Sequence, residues 1–209
     1  MGLHREVEAR LAAQLLAGEP EAFDRFVEHF RTKIFHYSWL MCGQREDAEE
    51  VVQEALLKVF ENLADLRDPS RVRPWVFQIA KNACLMKRRK SVFAPARELS
   101  LDDHGSHGDG ADRELQIADG GSLPDRRLIQ AEQRRALDRA IAALPESYKS
   151  VMLLRDVEEL STAETAQILD LTEDVVKTRL HRARVSVRKT LEEAVAAGSG
   201  HPGETHGRD

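Results

Sequence analysis

The sequence lacks any long apolar run. Its uninterrupted hydrophobic stretches span only a few residues, such as 151–154, far short of the roughly 20 apolar residues that a membrane helix needs. The first ten residues mix charged and apolar side chains and contain no apolar core of the kind a signal peptide has. We therefore expect no membrane insertion and a cytoplasmic location.

Cysteine is scarce, since Cys42 and Cys84 are the only two. They form no CxxC motif and no Cys/His cluster with zinc-ligand spacing, and disulfides are uncommon in a reducing cytosol. Two small buried hydrophobic residues are therefore favoured over a redox pair. Walker, GxSxG and HExxH motifs are also missing. We expect no metal, no cofactor and no enzymatic activity.

Strand patterns are missing as well, because apolar and polar residues nowhere alternate over several positions. Helical periodicity is strong instead. In a predicted helix over 47–63, apolar residues recur at helical spacing and predict one buried stripe: Ala48, Val51, Val52, Ala55, Leu56, Val59, Phe60 and Leu63. We predict an all-α fold with two small helical domains joined by a flexible linker, the second containing a helix-turn-helix.

Glycine and aspartate concentrate between residues 91 and 125, which contain too little apolar surface to fold independently. The residues after 197 have a similar composition. The predicted organisation is a first domain at 20–92, a flexible acidic linker at 93–127, a second domain at 128–195 and a disordered tail at 196–209.

The net charge of -5 hides a strong segregation of charge along the chain. Residues 44–66 carry seven acids and two bases, whereas residues 67–90 carry eight bases and one acid. Residues 173–190 carry six bases and two acids. Because binding depends on the local field, the two basic segments remain candidates for nucleic-acid contact.

The predicted helix 47–63 has an acidic face opposite its buried stripe. Glu50, Gln53, Glu54 and Leu57 lie on that face, with Leu57 an apolar residue among acids. An apolar centre with a charged rim is typical of a protein interface. A solvated acidic face is an equally good interpretation of the same pattern.

The predicted helix from about 73 to 90 combines cations with an aromatic side chain. Its predicted core stripe is Trp75, Val76, Ile79, Ala80, Ala83 and Met86, which leaves Phe77, Lys81 and Arg88 facing outward and Asn82 on the flank. An outward aromatic ring can stack on an unpaired base, while cations meet phosphates and an amide bonds a base edge. The alternative is that the cations simply complement the macrodipole at the end of the helix, but this accounts only for the basic residues at 87–90.

A capping box at Ser161–Glu164 predicts the start of a further helix. A short turn follows, and Val176, Leu180, Ala183 and Val187 then mark a second helix, which is helix-turn-helix spacing. Its outward face and flanks carry the candidate base and phosphate contacts: Lys177, Thr178, Arg179, His181, Arg182 and Arg184. A helical hairpin with a solvated basic face is the alternative.

Two sets of motifs resemble a known family. DAEEVVQEALLKVFENL and RPWVFQIAKNACLMKRRK resemble the second conserved region of the sigma-70 family. ALPESYKSVMLLRDVEELSTAETAQILDLTEDVVKTRLHRARVSVRKTL resembles the fourth. Their order and spacing are similar to those of the extracytoplasmic-function (ECF) subfamily. The resemblance implies a sigma factor that binds core RNA polymerase, recognises -35 and -10 promoter elements, helps to open the DNA and is controlled by an anti-sigma factor.

The resemblance also assigns roles to residues. Glu50, Gln53, Glu54 and Leu57 would bind the clamp helices of the largest polymerase subunit, and the second domain would meet the flap of the second-largest subunit. The -10 element would be contacted by Leu66, Arg73, Phe77, Lys81, Asn82 and Arg88. The -35 element would be contacted by Lys177, Thr178, Arg179, His181, Arg182 and Arg184.

Two other protein classes fit part of the pattern. A stand-alone helix-turn-helix regulator explains the second domain but leaves the acidic face and the first basic helix without a role. A decoy that only sequesters an anti-sigma factor has no need of the basic residues in the last helix.

Overall fold

The computed structural model describes residues 2–93 and 124–198. Within these ranges the structure is helical and has no strand. The eight α-helices are α1 (Gly2–Leu16), α2 (Ala22–Cys42), α3 (Arg45–Glu61), α4 (Val72–Phe93), α5 (Pro124–Ala142), α6 (Glu146–Met152), α7 (Thr162–Leu169) and α8 (Glu173–Gly198). The predicted all-α class is confirmed.

The first region consists of α1 to α4. Helix α2 ends where Gly43 adopts a left-handed conformation (φ 79°) and donates its N–H to the Trp39 carbonyl, a conformation that glycine adopts without the steric cost of a Cβ. Two short 3₁₀ turns connect α3 to α4. The second begins at Asp68, whose side chain accepts the Ser70 N–H, and Pro69 occupies its first position.

The second region consists of α5 to α8 and contains the predicted helix-turn-helix. The capping box is present, because Ser161 Oγ accepts the Glu164 N–H at 3.1 Å and the Glu164 carboxylate accepts the Ser161 N–H at 2.6 Å. Asp170 turns the chain in a left-handed conformation (φ 54°). Thr172 Oγ1 then accepts the Val175 N–H in the first turn of α8.

The linker prediction falls largely on residues 94–123, which lie outside the described residues, as do residues 199–209 of the predicted tail. Helix α5 already begins at Pro124 and α8 continues to Gly198. The helical parts of the second region are therefore slightly longer at both ends than the ranges predicted from composition.

Helix α1, which the sequence analysis did not predict, places a buried charge in the core of the first region. Glu8 is 1% exposed and Arg73 of α4 is 4% exposed. The Arg73 guanidinium donates to both carboxylate oxygens of Glu8, at 2.6 and 2.7 Å. His29 and Lys33 of α2 also approach Glu8, at 2.9 and 3.5 Å. Three helices therefore meet on one carboxylate.

The ionised form of Glu8 is strongly favoured. Burial by itself would raise the pKa of Glu8, but hydrogen bonds from His29 and Arg73 and the charges of Arg73 and Lys33 lower it to about 2. The Glu8 carboxylate thus stays charged over the physiological range, and its stabilisation is lost only as pH falls from the ordinary value near 4.5 toward 2.

The two regions pack against each other around this cluster. Arg73 also donates to the Glu158 carbonyl at 3.0 Å, and Arg5 of α1 bonds the Glu164 carboxylate and the Glu159 carbonyl. One hydrophobic core includes buried residues of both regions, among them Phe26, Phe77, Leu153 and Leu154. The structure is a closed arrangement of the two regions.

We predict that Arg73→Ala lowers the free energy of unfolding by about 3–5 kcal/mol, because it leaves the Glu8 charge buried and only partly compensated. Urea unfolding at pH 7 measures the loss. Arg25→Ala is the matched control, since Arg25 and Glu19 form an exposed pair at 3.9 Å and such pairs contribute about 0–1 kcal/mol. Equal losses in both variants would contradict the role of the buried pair.

Candidate nucleic-acid and protein interfaces

The acidic face of α3 is open to solvent. Leu57 is 57% exposed, and Glu50 and Gln53 are also exposed. Glu50 and Asp47 pair with Lys87 of α4, whereas Glu54 pairs with Lys58 at 2.9 Å. The face predicted from periodicity therefore exists as a surface, with an apolar side chain standing among carboxylates.

An exposed aromatic pair extends this surface. Phe60 was predicted in the buried stripe of α3, and that prediction is wrong, because Phe60 is 57% exposed. Its ring instead makes an edge-to-face contact with Phe23 of α2, with the centroids 5.3 Å apart. Phe60 lies three residues after Leu57 and so continues the same strip. Helical spacing cannot reveal this, because the exposure of Phe60 depends on where α2 packs beside α3.

Three of the residues predicted for the -10 element are buried. Phe77 is 0% exposed, Leu66 is 5% exposed, and Arg73 occupies the ion pair with Glu8. The Phe77 ring packs edge-to-face on the buried Tyr37, at 5.6 Å between centroids. The prediction that Phe77 faces outward to stack on a base is corrected, and neither Leu66 nor Arg73 presents a free side chain in this structure.

The error lies in the rotational register assigned to α4. The buried face is centred on Val76, Phe77, Ala80 and Cys84, whereas Met86, predicted in the core, is 44% exposed. Helix α4 contacts α1, α2, α3 and α7, so its buried face is wide. Arg73 can lie within that face only because Glu8 neutralises it, and Glu8 belongs to a helix 65 residues earlier in the chain.

The outward side of α4 retains two of the predicted DNA contacts. Asn82 is exposed and Lys81 is half-buried, and the Gln78 side-chain amide donates a weak hydrogen bond to Asn82 Oδ1 at 3.4 Å. Arg88 instead pairs with Glu146 of α6. This side of α4 presents an amide and a cation, which are the groups that contact base edges and phosphates.

Helix α8 presents the predicted basic face. Lys177, Thr178, His181 and Arg182 are exposed and Arg179 is half-buried, while Val176, Leu180 and Ala183 face the core. Arg182 lies near Tyr148 of α6, with its guanidinium 3.4 Å from the hydroxyl. The structure therefore places these side chains on the solvent side of the second helix of the helix-turn-helix.

Arg184 is held differently from its neighbours. Its guanidinium makes a two-point contact with the Asp156 carboxylate at 2.6 and 2.8 Å, which fixes α8 against the turn that precedes α7. Arg184 is more than half exposed, but a DNA phosphate would have to compete with Asp156 for it. Sequence spacing could not reveal this partner.

Residues 2–93 and 124–198 contain no group of three or more histidine, cysteine or acidic side chains arranged to hold a metal ion. In the same ranges, no helix combines the length and apolar character that a membrane crossing demands.

The fold and the exposed basic helix define a helix-turn-helix DNA-binding protein. Residues 26–92 match the model of sigma-70 region 2, and residues 134–187 match the model of sigma-70 region 4. Together the two matches cover more than half of the chain. The chain is 29% identical to the ECF RNA polymerase sigma factor SigW of Bacillus subtilis, over 85% of this chain and 93% of SigW.

Two solved structures share the fold. CnrH in complex with the cytosolic domain of CnrY has a TM-score of 0.56 and 22% identity, over 89% of this chain and 97% of that one. The sigma factor RpoE in complex with the anti-sigma factor NepR from Bartonella quintana has a TM-score of 0.59 and 17% identity, over 83% of this chain and 98% of that one. The chain belongs to the ECF subfamily of the sigma-70 family and is a promoter-specific transcription initiation factor.

The position of Phe77 yields a prediction that differs from a base-stacking role. We expect Phe77→Ala to lower the free energy of unfolding by about 3–5 kcal/mol, because it opens a cavity in the core. Asn82→Ala should change it by no more than about 0.5 kcal/mol, since Asn82 is a surface residue. Urea unfolding compares the two. A Phe77→Ala protein as stable as wild type but unable to bind unpaired promoter DNA would restore the stacking role.

Proposed function

We propose that this sigma factor binds core RNA polymerase through the α3 surface, contacts the -10 element through the outward side of α4, and contacts the -35 element through α8. The observation that carries the proposal is that the three surfaces all lie on the solvent side of their helices in one chain. A stand-alone regulator would use α8 only. We infer that the chain catalyses no reaction itself and acts in the cytoplasm, where the polymerase is.

The polymerase surface, as we define it, consists of Glu50, Gln53, Glu54 and Leu57 together with Phe23 and Phe60. Leu57, Phe23 and Phe60 supply an apolar strip, and the glutamates supply an acidic rim. Such a strip is suited to burial at an interface core, and the rim is suited to a basic partner. In the family this helix meets the clamp helices of the largest subunit, and region 4 meets the flap of the second-largest subunit.

We predict that Leu57→Ala combined with Gln53→Ala weakens binding to core RNA polymerase by about 1–3 kcal/mol, as loss of interface anchors does. The unfolding free energy should not change, since both side chains point away from the core. Competition binding with labelled wild-type protein measures the affinity. The control is Met86→Ala, which truncates an exposed apolar side chain on α4. Wild-type affinity in the double variant would remove the assignment.

The closed arrangement is incompatible with simultaneous contact to both promoter elements. The positions -35 and -10 are about 25 base pairs apart, which is roughly 85 Å of B-DNA at 3.4 Å per pair. A compact chain of this length is only about 40 Å across. We therefore propose that polymerase binding separates region 4 from region 2, and that the free chain binds promoter DNA weakly.

Control by an anti-sigma factor is the accompanying proposal. The structure of RpoE in complex with the anti-sigma factor NepR has the same fold as this chain. An inhibitor that favours the closed arrangement would keep α4 and α8 from reaching their two elements together.

We predict opposite effects for variants of the two DNA surfaces. Arg182→Ala should weaken holoenzyme binding to closed duplex DNA with a -35 element by about 1–3 kcal/mol, if Arg182 makes a paired contact to guanine. Its effect should shrink on a template with a pre-melted -10 bubble and no -35 element. Asn82→Ala should spare duplex binding and impair strand opening, measured by permanganate reactivity of thymines near -10.

Lys189→Ala serves as the control for charge alone. Lys189 lies on α8 close to Glu193 and is largely exposed, so its removal should weaken binding equally for all sequences and mainly alter the salt dependence. If Arg182→Ala and Asn82→Ala lose the same fraction of activity on both templates, the proposed division between duplex and unpaired DNA is wrong. A tight sequence-specific footprint by the free chain would favour the stand-alone regulator.

A further inference from the structure

Tyr148 of α6 lies beside the basic face of α8, although it precedes Arg182 by 34 residues in the chain. The Tyr148 N–H donates to the Pro145 carbonyl at 2.9 Å in the first turn of α6. The Tyr148 ring is half-buried and packs against the hydrophobic core. The Arg182 guanidinium donates from Nη1 to the Tyr148 hydroxyl at 3.4 Å. A ring held by the protein therefore places its hydroxyl next to a candidate base contact.

The partner of Arg182 differs in charge from the partner of Arg184, two residues further along α8. Arg184 makes a two-point contact with the Asp156 carboxylate. A carboxylate neutralises the cation that it holds and competes with DNA for it. The Tyr148 hydroxyl is neutral, so it orients the Arg182 guanidinium and leaves its positive charge available to DNA.

The contact with Tyr148 is compatible with a contact to a base. A guanidinium carries five N–H groups, and a two-point contact with guanine uses two of them. The bond from Nη1 to Tyr148 uses one of the remaining three. Tyr148 and Arg182 also line a common hollow between the start of α6 and the first turns of α8, together with Thr178 and Arg179. Because α6 and α8 both belong to the second region, separation of the two regions would not break the contact.

We propose that Tyr148 is a positioning residue for -35 recognition, whose hydroxyl holds the Arg182 guanidinium in the orientation that meets a base edge. The inference rests on the -35 contact proposed above for Arg182. A long exposed side chain loses rotamer freedom when it is fixed on DNA, and a side chain already held in the free protein loses less. The contact also favours the direction in which two N–H groups reach guanine together, which strengthens discrimination between bases.

The test measures how strongly wild-type and variant holoenzymes discriminate between -35 sequences. Wild-type holoenzyme first selects a bound promoter from a pool of duplexes with a randomised -35 element. Each base pair of the selected element is then substituted in turn. Discrimination at a position is the ratio of the dissociation constants of the substituted and the selected duplex.

We expect Arg182→Ala to abolish discrimination at the base pair that Arg182 contacts. Tyr148→Phe should lower discrimination at that same pair about two- to tenfold, the range expected for the loss of one hydrogen bond. Other positions should keep their wild-type ratios. Full discrimination in Tyr148→Phe beside a loss in Arg182→Ala would overturn the positioning role and leave the -35 contact of Arg182 intact. Full discrimination in Arg182→Ala would overturn both proposals.

The double variant separates positioning from a direct role for the hydroxyl. If Tyr148 acts through Arg182, Tyr148→Phe should have no further effect in an Arg182→Ala background. A loss of affinity that is equal for all sequences and persists in the double variant would mean that the hydroxyl contacts a phosphate directly. That result would overturn the positioning role.

Tyr37→Phe is the matched control, because it removes the same atom from the other tyrosine of the chain. Tyr37 is 1% exposed in the first region, and its hydroxyl has no hydrogen-bond partner among residues 2–93 and 124–198. Tyr37→Phe should leave every discrimination ratio at the wild-type value. Urea unfolding of Tyr148→Phe should give a midpoint close to that of wild type, since the ring and its packing are kept. A merely structural role would instead lower the midpoint and weaken binding to every duplex alike.

Discussion

The ion pair between Glu8 and Arg73 determines much of the rest of the structure. Each charge is nearly inaccessible to water, so neither could be buried without the other. The pair fixes α1 against α4, and His29 and Lys33 bring α2 to the same carboxylate. Arg73 also bonds the carbonyl of Glu158. One guanidinium therefore holds region 2 together and anchors region 4 to it.

The interface between the regions includes a carboxyl group that disfavours closure when ionised. Burial raises the pKa of Glu158 to about 7, against the opposing charges of Lys33, Arg73 and His36. A raised pKa means that the closed form binds the proton more tightly than an open form in which Glu158 is hydrated. The penalty is absent below the ordinary value near 4.5 and complete above about 7, so closure weakens as pH rises through that window. A closed form that is not maximally stable agrees with the proposal that polymerase binding separates the two regions.

Several features could be predicted from the sequence for definite physical reasons. The helix-turn-helix was found because Ser161 and Glu164 form a cap that depends only on neighbouring residues, and because Val176, Leu180, Ala183 and Val187 repeat at helical spacing. The exposure of Leu57 followed from the same periodicity. The buried face of α4 was not predictable in this way. A charged residue such as Arg73 is normally assigned to the exposed side of a helix, and Arg73 is buried only because Glu8 pairs with it. Helix α1 was missed for the related reason that its role depends on contacts with distant residues, such as Glu8 with Arg73 and Arg5 with Glu164.

The sequence by itself determined the all-α class, the basic surface of α8 and the family, because propensity, capping and periodicity are local properties and family motifs are strings of residues. Only the tertiary structure decided that Phe77 lies in the core and that Phe60 and Phe23 form an exposed pair. Each of these outcomes depends on contacts between helices distant in the chain. Such contacts depend on how three or more helices pack around one core. The residue pattern of a single helix carries no information about that packing.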